Sequence, residues 1–262
     1  MGVRIGNVLV AKIGGSTLGA HDTTLADIVE LQRRGLQPVV VHGGGALISE
    51  WLARHNVKSR FERGLRVTDA ETLEVVVAVL AGLVNKEIVA ALAALGASAV
   101  GLSGADGGLL RARRLDEKLG HVGEVTDVVS RVLLPVLAEG MIPVIAPIGV
   151  EWDGERSSGQ LLNINADTAA GAIARALGAH WLVFLTDVPG VRAADGETLR
   201  RLSAEETEEM LGSGAIEGGM IPKVEGCLNA ASKGCASLIA DGRAEHTLIA
   251  VAEGREIGTL VG

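Results

Sequence analysis

"QPVVVHGGGALISEW", residues 37–51, decides the fold. A run of three valines behind Pro38 reads as a short strand, and "ALISEWLARHN" reads as the helix that follows it. The strand is apolar along its whole length, which suits a parallel sheet covered on both faces. Gly43, Gly44 and Gly45 stand between strand and helix. Consecutive glycines cost roughly 1 kcal/mol each in chain entropy, which is odd for a mere turn. They let a ligand approach the backbone, and a helix opening there presents unpaired N–H groups and its positive dipole end to an anion.

The same unit recurs on either side. "NVLVAKI" and "TTLADIVELQRRG" pair strand with helix ahead of it. "SAVGLSG", "MIPVIAPIG" and "HWLVFLTDVPG" supply further strands, and "VVSRVLLPVLAEG" and "ADTAAGAIARALG" further helices. "DAETLEVVVAVLAGLVNKEIVAALAALG" is one long helix, with Thr68 or Asp69 able to cap its start and Gly96 able to end it. Its centre is apolar on more than one face, as for a helix buried against both its own core and a second subunit. Residues 107–127 break the pattern and look like antiparallel ribbon. "VEWDGERSSGQLLNINAD" reads as a polar loop leading into a helix. After "LTDVPG" come a short acidic helix, a helix starting near Lys223, and the expected strands "ASLIADG" and "HTLIAVA". Strands alternating with helices predict an α/β fold, an αβα sandwich on a central, mainly parallel sheet. A boundary near residue 180 divides it into two lobes, 1–180 and 181–262.

Composition narrows the partners. The 262 residues suffice for a sizeable core. Aromatic residues are only 2%, so a base-stacking surface is not expected. A net charge of -8 argues against nucleic acid and anionic membrane as partners. Any phosphate must then be met by a few placed cations. The two cysteines, Cys227 and Cys235, form no Cys-x-x-Cys or Cys/His cluster and read as buried free thiols of a reducing compartment. The N-terminal stretch has no apolar segment long enough for a signal peptide. No apolar run is expected to reach the roughly 20 residues that cross a bilayer, and the reading is cytoplasmic. The 36 glycines are clustered at about twice the roughly 7% of ordinary usage, marking turns and close backbone approaches.

Several short stretches carry chemistry, each with a plainer reading beside it. "KIGGS" sets Lys12 at the carboxyl end of an apolar strand before a glycine turn, where open parallel sheets bind ligands. It is also what an edge lysine and a tight turn would look like. Arg66, ahead of the long helix, offers a planar fork for a carboxylate or is a surface arginine. "NINAD" places Asn163, Asn165 and Asp167 at alternate positions, as a hydrogen-bonding platform or with Asp167 as a simple N-cap. "LTDVPG" ends a strand either as a nucleotide cradle or as a plain turn. In "GGMIPKVEGC", Lys223 begins a helix behind a glycine pair, aimed at a phosphate or merely solvated. The six histidines share no metal spacing, and no nucleophile–base pair stands out. That absence suits phosphoryl transfer to a carboxylate. Such an acceptor is already an anion, so the need is for cations and backbone dipoles rather than a base.

Taken in order, "KIGGS", "VVHGGG", "GLRVTDAETL", "NKEIVAAL", "VGLSGADGGLL", "GHVGEV", "NINADTAAGAIA", "LTDVPGV", "GGMIPKV" and the C-terminal "GTL" resemble the amino-acid kinase family. They are most similar to its members that phosphorylate the side-chain carboxylate of N-acetyl-L-glutamate in arginine biosynthesis. The resemblance runs nearly from end to end. It implies that Lys12 and Lys223 neutralise the transferring phosphoryl group and that Asp167 holds both lysines. Gly14, Gly15 and Gly44 would bind ATP phosphates through backbone N–H groups. Gly44 and Gly45 would contact the acetylated amino acid, Arg66 would clamp its α-carboxylate, and Asn163 with Asn165 would help fix it. Asp187, Val188, Gly190 and Val191, with Glu217, Gly219 and Met220, would hold adenine and ribose in the C-terminal lobe. Mg2+ would arrive on ATP, with no protein metal cage. The resemblance further implies a homodimer through the helix around 69–95, without arginine inhibition because Lys12 lies so near the start. A kinase of N-acetyl-L-aminoadipate and a catalytically silent sensor on the same fold are the alternatives.

Overall fold

The structure, a computed structural model, describes residues 7–14, 23–193 and 195–262. It begins with β1 (Val8–Ile13), α1 (Thr24–Arg33), β2 (Gln37–His42) and α2 (Gly45–Arg54). A two-stranded hairpin of β3 (Phe61–Glu62) and β4 (Leu65–Arg66) leads to α3 (Ala70–Val77), a π-helical turn over Ala78–Val84, and α4 (Asn85–Ala94). Next come β5 (Ala99–Ser103), β6 (Leu110–Arg114), β7 (Val122–Val128), α5 (Leu134–Ala138), β8 (Ile142–Ala146), β9 (Ile148–Trp152) and β10 (Ser157–Ile164). The chain closes with α6 (Ala166–Leu177), β11 (Trp181–Thr186), β12 (Arg201–Leu202), α7 (Ala204–Gly212), α8 (Ile221–Ala231), β13 (Ala236–Asp241), α9 (Thr247–Ala252) and β14 (Thr259–Val261).

One eight-stranded sheet carries the molecule, in the order β12-β14-β13-β11-β1-β2-β8-β5. Six strands, β13 to β5 in that order, run parallel, and β14 and β12, parallel to each other, run opposite to them at one edge. Alternate residues of β1 and β2 face opposite layers. Val8, Val10, Val39 and Val41 pack with Ile173 of α6 and Val224 of α8. Leu9, Ala11, Ile13 and Val40 pack with Ile28 of α1, Leu52 of α2 and Leu92 of α4. This is the expected αβα sandwich. The sheet is continuous across residue 180, where β11 pairs with β1 in register from Trp181↔Leu9.

The expected antiparallel ribbon is present as β6 and β7, and β9 and β10 close it into a small barrel. Here the sequence reading needs correction, because "VEWDGERSSGQLLNI" is not a loop but the hairpin of β9 and β10. Its exposed face is polar, while Val150, Leu162 and Ile164 are buried in the core. "HTLIAVA" is a helix rather than a strand. Thr247, Leu248, Ala250 and Val251 are its buried positions, a helical spacing that so short an apolar run does not reveal.

The long helix is capped by Asp69, whose side chain accepts from the Thr72 N–H, and is followed by Gly96 at φ +84°. Its span Ala70–Ala94 is long and apolar enough to cross a membrane by length and composition alone, at a mean hydropathy of 2.1 over its most apolar window, although Lys86 and Glu87 interrupt the apolar run. Only 39% of the most apolar window is buried within the chain. Val76, Val79, Leu80, Ile88 and Leu92 form the face that packs on the sheet. Cys227 and Cys235 are buried free thiols. Burial pushes the Cys235 thiol up to about 11.

Candidate active site

Parallel strands end together at one edge of the sheet, and the site lies there. Lys12 is the fifth residue of β1 and sits beside Val41 of β2 and Phe184 of β11. Asp167 lies in the first turn of α6, one sandwich layer away. Asn165 is the N-cap of that helix, its side chain accepting from the N–H groups of Asp167 and Thr168. Capping therefore falls to Asn165, which frees the Asp167 carboxylate for cations.

Both lysines meet it. Lys12 Nζ lies 2.8 Å from Asp167 Oδ1 and Lys223 Nζ 3.0 Å from Oδ2. The Lys223 contact is an aligned hydrogen bond. The Lys12 contact is an ion pair whose angles leave Oδ1 without a hydrogen bond of its own. All three side chains are at most 14% exposed, so solvent screens the cluster weakly. Two ammonium groups against one carboxylate leave a net positive charge in a desolvated site. Lys223 also donates to the Gly219 carbonyl at 3.1 Å, which ties it to the glycine turn before α8.

A close helix crossing puts Lys223 within reach. Gly171 of α6 faces Gly226 of α8, and a Cβ on Gly171 would come within 2.6 Å of the Gly226 carbonyl oxygen. Only glycine on both sides lets the backbones approach this far.

Two cavities meet at Asp167 and Asn165. The smaller, about 210 Å³, is lined by Lys12, Gly43, Gly44, Gly45, Arg66 and Asn163 among others. The larger, about 660 Å³, takes in Lys223, Gly218 and Gly219. Arg66 is 8% exposed. It donates to Ser59 Oγ at 2.7 Å and to Ser49 Oγ and the Gly45 carbonyl at 2.8 Å each. Its guanidinium stacks on Phe61, 4.7 Å from the ring centroid. It has no carboxylate partner among the described residues. Burial lowers its pKa from the usual value, as for a cation awaiting an anion. Asn163 donates to Thr68 Oγ1 at 3.1 Å, and Thr68 in turn donates to the Arg66 carbonyl at 2.8 Å.

The structure thus brings Lys12, Gly44, Gly45, Arg66, Asn163, Asn165, Asp167, Gly219 and Lys223 together. Gly14 follows β1 at the same edge, and Gly15 lies outside the described residues. Asp187 and Val188 follow β11 at that edge but line neither cavity. Gly190 packs against Thr259, and Val191 is a core residue whose N–H donates to Thr259 Oγ1 at 2.9 Å. Glu217 is exposed and precedes the 3-10 turn Gly218–Met220, while Met220 packs partly buried on the core. Sequence reasoning missed Ser49, Ser59 and Thr68, which orient the ligand-facing groups. Hydroxyls carry no pattern that separates such a role from a surface one.

The chemistry of the donor set does not fit a metal cage. Among the described residues no three His, Cys, Asp or Glu side chains converge, and the one carboxylate at the junction is already held by two lysines.

Comparison with known proteins gives a consistent picture. The sequence profile of the amino acid kinase family matches residues 7–241. The acetylglutamate kinase of Dehalococcoides mccartyi is 45% identical over 259 residues, 98% of this chain and 95% of its own. Among solved structures, smu.665 from Streptococcus mutans superposes with a TM-score of 0.83 at 32% identity, covering 97% of this chain and 98% of that one. N-acetylglutamate synthase from Neisseria gonorrhoeae, solved with coenzyme A and N-acetyl-glutamate, also gives 0.83, at 26% identity, covering 98% of this chain and 59% of its own.

Proposed function

The chain belongs to the amino acid kinase family, and from that premise we propose that it transfers the γ-phosphoryl group of ATP to the side-chain carboxylate of N-acetyl-L-glutamate. The observation that carries the reading is the Lys12–Asp167–Lys223 cluster at the junction of two cavities. A carboxylate oxygen of the acceptor attacks the γ-phosphorus. The bond to the β–γ bridging oxygen breaks, and ADP leaves with the electron pair. No proton moves, so no base is needed. The obstacle is repulsion between two anions, which the two ammonium groups offset while Asp167 keeps them apart and oriented.

In this reading the smaller cavity takes the acetylated amino acid. Arg66 receives its α-carboxylate through the planar fork, and Asn163, held by Thr68 and with Asn165 beside it, steadies it. The N–H groups of Gly14, Gly15 and Gly44 face phosphate oxygens, and Gly44 and Gly45 border the acceptor. The larger cavity leads toward the nucleotide. Gly219 lines it, Glu217 and Met220 flank the same turn, and Asp187 and Val188 would meet the nucleotide from the end of β11, ahead of the turn at Gly190 and Val191. The divalent cation that such kinases need, Mg2+ here, is carried by the phosphates and supplies further charge neutralisation. Residues 1–180 then form the amino-acid lobe and 181–262 the nucleotide lobe of a cytoplasmic homodimer. The outward apolar face of the long helix supports pairing there, and sedimentation equilibrium would read the dimer directly.

The test is ADP release from MgATP with N-acetyl-L-glutamate, N-acetyl-L-aminoadipate, free glutamate and carbamate, with hydroxylamine present. Turnover confined to N-acetyl-L-glutamate, with the matching hydroxamate trapped, is the expected result. Turnover with aminoadipate instead, or ATP binding without any turnover, would overturn the substrate or the activity respectively.

A further inference from the structure

One buried polar pair lies outside the site just described. Asn85 opens α4 directly behind the π-helical turn and is wholly buried in an otherwise apolar layer. One N–H of its Nδ2 is donated to the Val144 carbonyl at 2.9 Å, and the other is shared between His42 Nε2 at 3.2 Å and the Leu102 carbonyl at 3.3 Å. Its Oδ1 accepts from Lys86 Nζ at 3.0 Å. Two carbonyls on one end and an ammonium on the other decide which way the amide points. Gly101 of β5 makes the seat, because a Cβ there would overlap Asn85 Oδ1. Burying a polar amide is costly unless every partner is in place, and packing alone would favour an aliphatic side chain.

His42 ends β2 and is 1% exposed. Its Nδ1 lies 3.0 Å from the Gly43 carbonyl oxygen. A carbonyl only accepts, so Nδ1 carries the proton and Nε2 accepts from the Asn85 amide. Burial, with the Lys86 ammonium nearby, keeps the ring neutral down to about 4.

We propose that Asn85 is a positioning residue for the glycine loop of the active site. By donating to Nε2 it fixes His42 as the Nδ1–H tautomer, whose N–H holds the Gly43 carbonyl and so orients the Gly44 N–H of the same peptide. In a trans peptide those two groups point in opposite directions, and the described residues contain no cis bond. Holding the carbonyl on the His42 side turns the N–H away from it. That N–H has no partner among the described residues, and Gly44 lines the cavity that holds Lys12. The same helix supports the loop from below, since a Cβ on Gly44 would come within 2.7 Å of Leu80 Cδ2. The use of this N–H by a phosphate oxygen rests on the kinase reading above; the tautomer does not.

Two readouts test the proposal. Long-range 1H–15N spectra of the unliganded protein should show His42 as the neutral Nδ1–H form across about pH 5 to 8. Asn85→Ala should release it to the Nε2–H form or to imidazolium. In turnover assays Asn85→Ala is expected to lower kcat about tenfold with little change in KM, as for a mis-aimed donor. His42→Leu should lose about as much. His42→Asn, whose amide restores an N–H near the Nδ1 position, should recover most of it. Adding Asn85→Ala to His42→Asn should then cost less than about twofold, because no tautomer remains to be fixed. If Asn85→Ala does not fold, Asn85→Ser and Gly101→Ala carry the same expectations. An unchanged tautomer in the Asn85 variants, or an equal kcat loss in both His42 backgrounds, would overturn the proposal. A parent protein without turnover would instead overturn the kinase reading and leave the spectra to decide the tautomer.

Discussion

Asp167 acts on two lysines at once, so its replacement should register in two independent measurements. Asp167→Asn leaves two largely buried ammonium groups facing a neutral amide. Breaking a buried pair in this way costs about 3 kcal/mol, read as a lower urea midpoint at an unchanged slope. Turnover should fall by at least about a hundredfold, because lysines that repel each other no longer converge on the transferring group. A loss of stability without loss of turnover would make Asp167 structural only. Lys12 and Lys223 were legible in the sequence as charges at a strand end and a helix start near glycines, and Asp167 as a carboxylate in alternation with Asn163 and Asn165. Their mutual contact was implied by the family resemblance alone, since nothing local says that residues 12, 167 and 223 share one carboxylate. The hydroxyls of Ser49, Ser59 and Thr68 were invisible for a different reason. Their partners, Arg66 and Asn163, lie in separate segments that only tertiary packing brings together.

At the scale of elements, the α6–α8 crossing places Lys223 against Asp167. Gly226→Ala puts a Cβ 3.0 Å from the Asp167 carbonyl oxygen and 2.9 Å from the Phe184 ring. The helices must then separate, at a cost of about 1–3 kcal/mol. Lys223 moves with α8, so kcat should drop about tenfold while Lys12 stays in place. Full turnover in a destabilised Gly226→Ala protein would show that the crossing serves packing alone. The strand–helix alternation was readable because buried parallel strands have an unmistakable apolar run. The β9–β10 hairpin was not, because its exposed face is polar and reads as loop. The helix at "HTLIAVA" has six residues, too few for its period to separate from a strand. The π-helical turn at Ala78–Val84 has no composition that marks it, although it sits beneath Gly44.

For the molecule as a whole, buried His42 makes stability depend on pH. Its pKa of about 4 in the fold lies below the 6.5 of an exposed imidazole. The unfolded chain therefore binds the proton first, and stability is lost as pH falls from about 6.5 to about 4. The gap amounts to about 3 kcal/mol at most. Urea midpoints should decline over that window, and His42→Asn should flatten the decline. An equal decline in that variant would assign the acid sensitivity to other groups. The fold class and the edge that carries the candidate site were legible at this scale because a parallel sheet brings its strand ends together, so glycine turns far apart in sequence become neighbours.

In the proposed reaction the lysines stabilise the transferring phosphoryl group rather than merely hold ATP. The direct measurement is Lys12→Ala, with kcat and the ATP dissociation constant determined on the same preparation. kcat should fall by about a hundredfold or more, with the dissociation constant shifted by less than about tenfold. A variant that turns over at the parent rate once saturated with ATP would contradict it.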